Sequence, residues 1–197
     1  KQKLNLLLLK EKNNSIKEPL KKIENGIVIK QDISENQAKL IFLGIGSNLG
    51  NRISNIEKAK FKLFQNSVKI LQSSSYYKTP SWPDPKYPTY LNIILKVTSK
   101  LKPEDLLKMC KEIESSMGRK KAPKNSPRVC DIDIIDYKNS IKSGQIFLPH
   151  PQMHQRNFVL FPLFEISKDW MHPVFNTNIK KLILSLPNKD ITSIKQL

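Results

Sequence analysis

The order in which strand-like and helix-like runs alternate between Leu40 and Tyr137 constrains this chain more than any other feature. Leu40 to Ile45 is a continuous apolar run of strand length, and it ends in the turn G-S-N-L-G-N-R at 46–52. Ile53, Ile56, Ala59, Phe61, Leu63 and Phe64 then recur at roughly helical spacing. Residues 68–77 read as a second strand and 90–98 as a third. Pro103 at a first helical turn, Glu104 and Asp105 near its positive end, and Leu106, Leu107, Cys110, Ile113 and Met117 at helical spacing define a second helix, which Gly118 ends. Val129 to Tyr137 (V-C-D-I-D-I-I-D-Y) is a fourth strand, rich in β-branched and aromatic side chains. The order β-α-β-β-α-β is the split ferredoxin-like arrangement, so the expected class is α/β (α+β): an antiparallel sheet with both helices on one face.

The fourth strand carries the chemistry. Its period of two sets Asp131 and Asp133 on one face. Two adjacent carboxylates repel, and each tends to hold a proton unless a cation lies between them. A hard divalent ion such as Mg²⁺ resolves that conflict, because it takes oxygen ligands from one or two carboxylates plus substrate phosphates. Immediately upstream, residues 119–128 contain Arg119, Lys120, Lys121, Lys124 and Arg128 with no acid, while Pro123, Asn125, Ser126 and Pro127 disfavour a regular element. A basic loop feeding a carboxylate pair is the equipment of phosphoryl transfer, where catalysis is mostly positioning and charge stabilisation. The alternative is a solvated basic loop before an exposed strand with two unrelated acids.

Other segments carry weaker signals. The loop T-P-S-W-P-D-P-K-Y-P at 79–88 is stiff, and Trp82 and Tyr87 offer flat faces, either as a plain surface turn or toward a flat ligand. Tyr90 and Asn92 share one face of the third strand, a ring beside an amide that both donates and accepts. Lys111 and Glu114, three apart on the second helix, form a solvated ion pair or reach a ligand held by the next loop. The Gly-rich turn at 46–52 lacks the Lys-Ser/Thr end of a phosphate loop. Downstream, F-L-P-H-P-Q-M-H-Q-R-N-F at 147–158 places His150 between two prolines and Arg156 nearby. Residues 158–166 form an apolar segment to cover the sheet, and 176–186 a last short helix.

The 197 residues suffice for one domain and an extension. Net charge is +17, from 34 basic and 17 acidic residues, which favours acidic partners, although a general lysine bias yields the same total. Cys110 and Cys130 lack metal or secretory spacing and read as reduced thiols of a cytoplasmic protein. The longest early apolar run, Leu6 to Leu9, is too short to span a bilayer, so no membrane role is expected. Residues 1–38 read as an N-terminal extension or interdomain linker with short ordered pieces at 4–9 and 26–30, residues 39–187 as the catalytic domain, and 188–197 as a tail or linker. The missing start methionine leads to the expectation of a chain cut from a longer polypeptide.

Taken together, G-S-N-L-G-N-R at 46–52, Y-Y-K-T-P at 76–80, Y-L-N at 90–92, E-x-x-x-G-R at 114–119, P-R-x-x-D-I-D-I at 127–134 and P-H-P-x-M-x-x-R-x-F-V-L-x-P-L at 149–163 resemble hydroxymethyldihydropterin pyrophosphokinase over about residues 40–186. The resemblance implies transfer of the terminal pyrophosphate of ATP to the hydroxymethyl group of a reduced pterin, with AMP as the other product, in folate biosynthesis. It implies that Asp131 and Asp133 hold two Mg²⁺ ions, and that Arg119 and Arg128 bracket a mobile loop and engage the triphosphate. Lys111, Glu114, Lys121, Ile134, His150 and Arg156 match ATP-side positions. Tyr90 and Phe158 resemble rings that sandwich the pterin, while Asn92 and the segment with Thr79, Pro80 and Trp82 resemble groups that read its edge. A dihydropteroate synthase domain on the same polypeptide is an implied partner; nucleic acid is not. Two departures stand out: Ser126-Pro127-Arg128 replaces the usual G-P-R, and Asn125 stands where an aromatic often precedes it, in a loop one residue shorter.

Two rival readings make different demands. A nucleotidyltransferase keeps its G-S turn close to its D-x-D, whereas Ser47 and Asp131 here flank 83 residues, positions 48 to 130. A single-stranded RNA-binding module requires exposed aromatics in an RNP-like pattern on the central strands, and the sequence has none.

Overall fold

The computed structural model describes residues 23–24, 27–28 and 40–197, except 83, 120–122, 124 and 125. The chain divides into two compact units, residues 1–36 and 37–197. In the first, β1 (Ile23–Glu24) and β2 (Ile27–Val28) pair antiparallel. The expected piece at 4–9 lies outside the described residues.

The second unit is built on β3 (Ile41–Ser47), α1 (Arg52–Gln65), β4 (Lys69–Ser73), β5 (Tyr77–Thr79), β6 (Tyr90–Thr98), α2 (Pro103–Ser116) and β7 (Asp131–Tyr137). Every pairing in its sheet is antiparallel. β3 lies between β6 and β7, and β6 pairs with both β4 and β5 on its other side. This is the expected ferredoxin-like order with one difference: the run 68–77 makes two strands, not one. At the break, the Ser74 amide donates to Ile94 O and the Ser74 hydroxyl accepts from the Ile94 amide, so a side chain replaces one rung of the ladder.

Alternation along the central strands separates two apolar layers. Ile41, Leu43 and Ile45 of β3, Leu91, Ile93, Leu95 and Val97 of β6, and Ile132 and Ile134 of β7 meet Ile56, Ala59 and Leu63 of α1 and Leu106, Cys110 and Ile113 of α2. Burial of each large aliphatic side chain contributes about 1.5–3 kcal/mol. Cys110 and Cys130 are both free and buried in this layer, and burial pushes each thiol up to about 12.

The opposite face is covered only in part. Phe42, Ile94 and Ile135 pack against α3 (Asn157–Ile166) and α4 (Ile179–Leu184), the former following a short 3-10 turn at Met153–Gln155. A bulge in β7 turns Asp136 to the side of Ile135, where it accepts from Trp170 Nε1 at 2.8 Å and the Asn139 amide at 3.1 Å. Residues 188–197, read from sequence as a tail or linker, carry α5 (Asn188–Ser193) and β10 (Lys195–Gln196), and β10 extends the sheet alongside β5. Among the described residues no helix is long and apolar enough to cross a membrane.

β8 (Met171–His172) and β9 (Thr177–Asn178) form a hairpin whose turn is organised by a buried ring. His172 Nδ1 accepts from the Val174 and Phe175 amides at 3.2 and 3.3 Å, and Phe175 stacks on it with centroids 4.2 Å apart. Burial, helped by His154, pushes His172 down to about 4 from an ordinary 6.5. Between those two values the unfolded chain binds a proton that the folded chain refuses, so stability falls as pH drops through that window. The expected result is a loss on the order of 2 kcal/mol from this residue between pH 6.5 and 4, read as a smaller pH slope of urea unfolding in His172→Gln than in the parent.

Candidate active site

The part of the sheet that α3 leaves bare is a cleft of about 610 Å³, lined by β3, β6 and β7, the Pro-rich loop and the basic loop. Its floor exists because β3 reads I-F-L-G-I-G-S. Gly44 and Gly46 fall on the face opposite Ile41, Leu43 and Ile45, so the strand presents backbone there. A Cβ on Gly46 would lie 2.9 Å from Asn92 Oδ1 and 3.4 Å from the Tyr90 ring; one on Gly44 would meet the end of Ile135 at 3.2 Å. Alternate glycines in a strand were the signal for this floor, and reading 40–45 as a uniform apolar run passes over it.

Asp131 stands opposite Gly46 and Asp133 opposite Gly44. Both carboxylates line the cleft, as do Lys111, Arg119, Arg128 and Arg156. Asp131 Oδ1 is shared by Arg119 Nη1 at 2.9 Å and Arg128 Nη1 at 3.0 Å. Burial raises both acids, but at Asp131 the charges of Arg128, Lys111 and Arg119 outweigh it and hold the carboxyl below the usual range. At Asp133 the Asp131 charge adds to burial, and the carboxyl lies above that range. The pair is thus split in proton affinity by what surrounds it.

Asp133 Oδ2 has looser neighbours: Arg156 Nη1 at 3.6 Å and His150 Nε2 at 4.0 Å. Burial and the Arg156 charge push His150 down to about 4, so the ring is neutral near pH 7. The Arg156 guanidinium stands over the Trp82 and Phe158 rings, 5.1 and 5.5 Å from their centroids, and Nη2 donates to Gln152 Oε1 at 2.7 Å. Its buried Nε has no acceptor among the described residues. Asn92 Nδ2 donates to Thr79 Oγ1 at 3.0 Å, and Thr79, Pro80, Trp82, Tyr90 and Phe158 also line the cleft. Tyr87, the second flat face anticipated in the Pro-rich loop, is exposed and stands away from the cleft.

Two of the anticipated residues stand apart, and a third falls outside the described residues. Glu114 is 1% exposed and does not line the cleft: it accepts from Lys111 Nζ, Arg119 Nη1 and the Ile132 amide, and so anchors the cations in place of meeting a ligand. Ile134 points into the helix-side layer. Lys121, together with Lys120, Lys124 and Asn125, lies outside the described residues.

The residues missed by sequence reasoning sit in the turn after β3 and the first turn of α1. Asn48 is 3% exposed; its amide donates to Arg128 O at 3.2 Å, its Oδ1 accepts from the Arg128 amide at 2.7 Å and its Nδ2 donates to Pro88 O at 3.1 Å. Arg52 Nη1 donates to Thr89 O and Oγ1, and Asn55 Nδ2 to Leu49 O and Ser47 Oγ. The turn binds neighbouring loops, a use that its phosphate-loop likeness did not suggest.

Comparison with known proteins gives a consistent picture. A family model described as 7,8-dihydro-6-hydroxymethylpterin-pyrophosphokinase (HPPK) matches residues 42–168. The chain is 37% identical over 142 residues to the 2-amino-4-hydroxy-6-hydroxymethyldihydropteridine pyrophosphokinase of Aquifex aeolicus, covering 72% of this chain and 88% of that protein. It is 38% identical over 180 residues to the folic acid synthesis protein FOL1 of Dictyostelium discoideum, covering 90% of this chain but only 27% of that much longer protein. A crystal structure of an HPPK-DHPS in complex with substrates superposes with a TM-score of 0.61 at 14% identity, covering 80% of this chain and 46% of that one; this likeness shows the fold.

Proposed function

We propose, from the premise that this chain belongs to the 7,8-dihydro-6-hydroxymethylpterin-pyrophosphokinase family, that it transfers the pyrophosphate of ATP to the hydroxymethyl group of 6-hydroxymethyl-7,8-dihydropterin, releasing AMP, as a step of folate biosynthesis. The observation that carries this reading is one cleft lined by two kinds of group: aromatic rings with an amide, from Tyr90, Asn92, Trp82 and Phe158, and two carboxylates among four cations. A flat heteroaromatic substrate suits the first and a triphosphate the second. The decisive experiment is AMP release from ATP with and without the reduced pterin. AMP formed equally in both, or in neither, overturns the proposal.

The donor set fits Mg²⁺. Asp131 and Asp133 offer only oxygen, from side chains 25% and 33% exposed, and among the described residues no third His, Cys, Asp or Glu joins them. Water and phosphate oxygens would supply the remaining ligands. Mg²⁺ held there supplies charge neutralisation to the phosphates, with two ions as the family resemblance implies. The chain's own groups do the rest. Tyr90 and Phe158 stack on the pterin and Asn92, held by Thr79, reads its edge, which orients the hydroxymethyl oxygen for in-line attack on the β-phosphorus. Arg119, Arg128 and Arg156 take the triphosphate; Lys111 and Lys121 add positive charge. His150 contributes a neutral ring on the ATP side. With its basicity pushed down to about 4 it is a poor general base.

We assign catalysis to residues 39–187 and leave 1–38 outside it. The free thiols Cys110 and Cys130 suit a reducing, cytoplasmic setting. As in the HPPK-DHPS proteins of like fold, a dihydropteroate synthase domain is the partner we place on the same polypeptide.

The bare floor has its own expected result. Gly46→Ala forces Asn92 away from its position and should weaken pterin binding about tenfold, whereas Gly44→Ala, which meets side-chain carbons of Ile135 and Ile94 at 3.2–3.4 Å, should cost at most about threefold. Calorimetric titration with the pterin in the presence of a non-hydrolysable ATP analogue checks both, and equal effects would show that Asn92 is not the constraint.

A further inference from the structure

The basic loop and the Pro-rich loop both line the cleft, and the buried Asn48 side chain touches the two. Asn48 grips the backbone of Arg128 from both directions, through its own amide and through Oδ1, and with Nδ2 it reaches Pro88 O. Arg128 in turn places Nη1 on Asp131 and Nε on Ser126 O. The chemistry selects this residue type. The Arg128 amide demands an acceptor and the Pro88 carbonyl demands a donor, and asparagine offers one of each in a single plane. Aspartate offers only acceptors, serine is too short to span both walls, and leucine offers neither. The support beneath Asn48 is stiff, because Asn55 ties down both Ser47 and Leu49 and Arg52 holds Thr89 beside Pro88.

We propose that Asn48 is a positioning residue that joins the Pro-rich wall to Arg128, so that the wall contacting the flat substrate and the guanidinium facing the phosphates settle together. This rests on the pyrophosphokinase reading of the cleft. Asn48 lines no part of the cleft itself and acts through the two loops it holds. Removing it should therefore mimic a displaced Arg128 and a loosened Pro-rich wall at once, which a residue serving only the core would not do.

The experiment compares Asn48→Ala, Asn48→Asp, Arg128→Ala and the Asn48→Ala/Arg128→Ala double variant. Asn48→Ala should lower the single-turnover rate about tenfold and raise the pterin KM. Asn48→Asp keeps an acceptor for the Arg128 amide but sets an oxygen against Pro88 O, so it should raise the pterin KM while sparing most of kcat; it also gives a reading should the alanine variant not fold. In the Arg128→Ala background, Asn48→Ala should cost less than about threefold further in rate. Losses that multiply in the double variant, or a lowered Tm with unchanged kcat and KM, overturn the proposal. Amide hydrogen exchange on the unliganded proteins separates this from the pyrophosphokinase reading. Even if the parent released no pterin-dependent AMP, faster exchange in both 84–89 and 126–130 in Asn48→Ala would support the link, and unchanged exchange would overturn it.

Discussion

Asp133→Ala is expected to reduce turnover by at least about a thousandfold, several kcal/mol of transition-state stabilisation, while leaving the fold intact. Its carboxyl is not a structural anchor: Arg156 and the neutral His150 lie 3.6 and 4.0 Å away, beyond good hydrogen-bond distance, and burial together with the Asp131 charge disfavours its ionised form. Asp131→Ala should abolish activity as well but perturb the site more, because Arg119 and Arg128 share that carboxylate and would both be released. Calorimetry of ATP binding at several Mg²⁺ concentrations, with circular dichroism for the fold, distinguishes the two variants. If Asp133→Ala kept the Mg²⁺ dependence of ATP binding and near-normal turnover, the carboxylate pair would not be the metal site.

Arg128→Ala should lower kcat far more than it weakens ATP binding. The guanidinium is tied to Asp131 and to Ser126 O, and its backbone is pinned by Asn48, so under the proposed function it would meet the phosphates already ordered. A preorganised donor aimed at developing charge is worth roughly 2.7–4 kcal/mol, about 10²–10³ in kcat. Arg119 is held instead by the buried Glu114 and shares Asp131, and its removal would leave Glu114 with Lys111 as its cationic partner among the described residues. Arg119→Ala should therefore cost stability together with rate. Rapid-quench single-turnover rates and Tm values for both variants check the contrast; equal and small rate effects would reduce the loop to a generic basic surface.

How much of this was legible depended on whether the deciding interaction was local. β3, β6 and β7 and helices α1 and α2 follow from apolar periodicity, and the shared face of Asp131 and Asp133 follows from strand period alone. The break between β4 and β5 did not, because it turns on the Ser74 hydroxyl reaching a strand 20 residues away in sequence. Likewise the bulge that sends Asp136 to Trp170 interrupts the very alternation used to read the strand. Glu114 shows the same limit at the site. Its spacing to Lys111 was visible, but its burial, and with it the change from surface ion pair to internal anchor, comes from packing against β7. Asn48 left no local trace: its three bonds go to residues 40 and 80 positions away.

The two buried thiols turn the helix-side layer into its own timer. Cys110 sits on α2, which packs against β7, and Cys130 immediately precedes β7, both sealed from solvent in the same layer. A thiol reagent can modify them only when that layer opens, so labelling kinetics in native buffer measure the opening free energy without any introduced probe. Because ligand held on the far face of the same strand stabilises the closed state in proportion to the logarithm of its concentration, the labelling half-time becomes a readout of site occupancy that requires no catalysis.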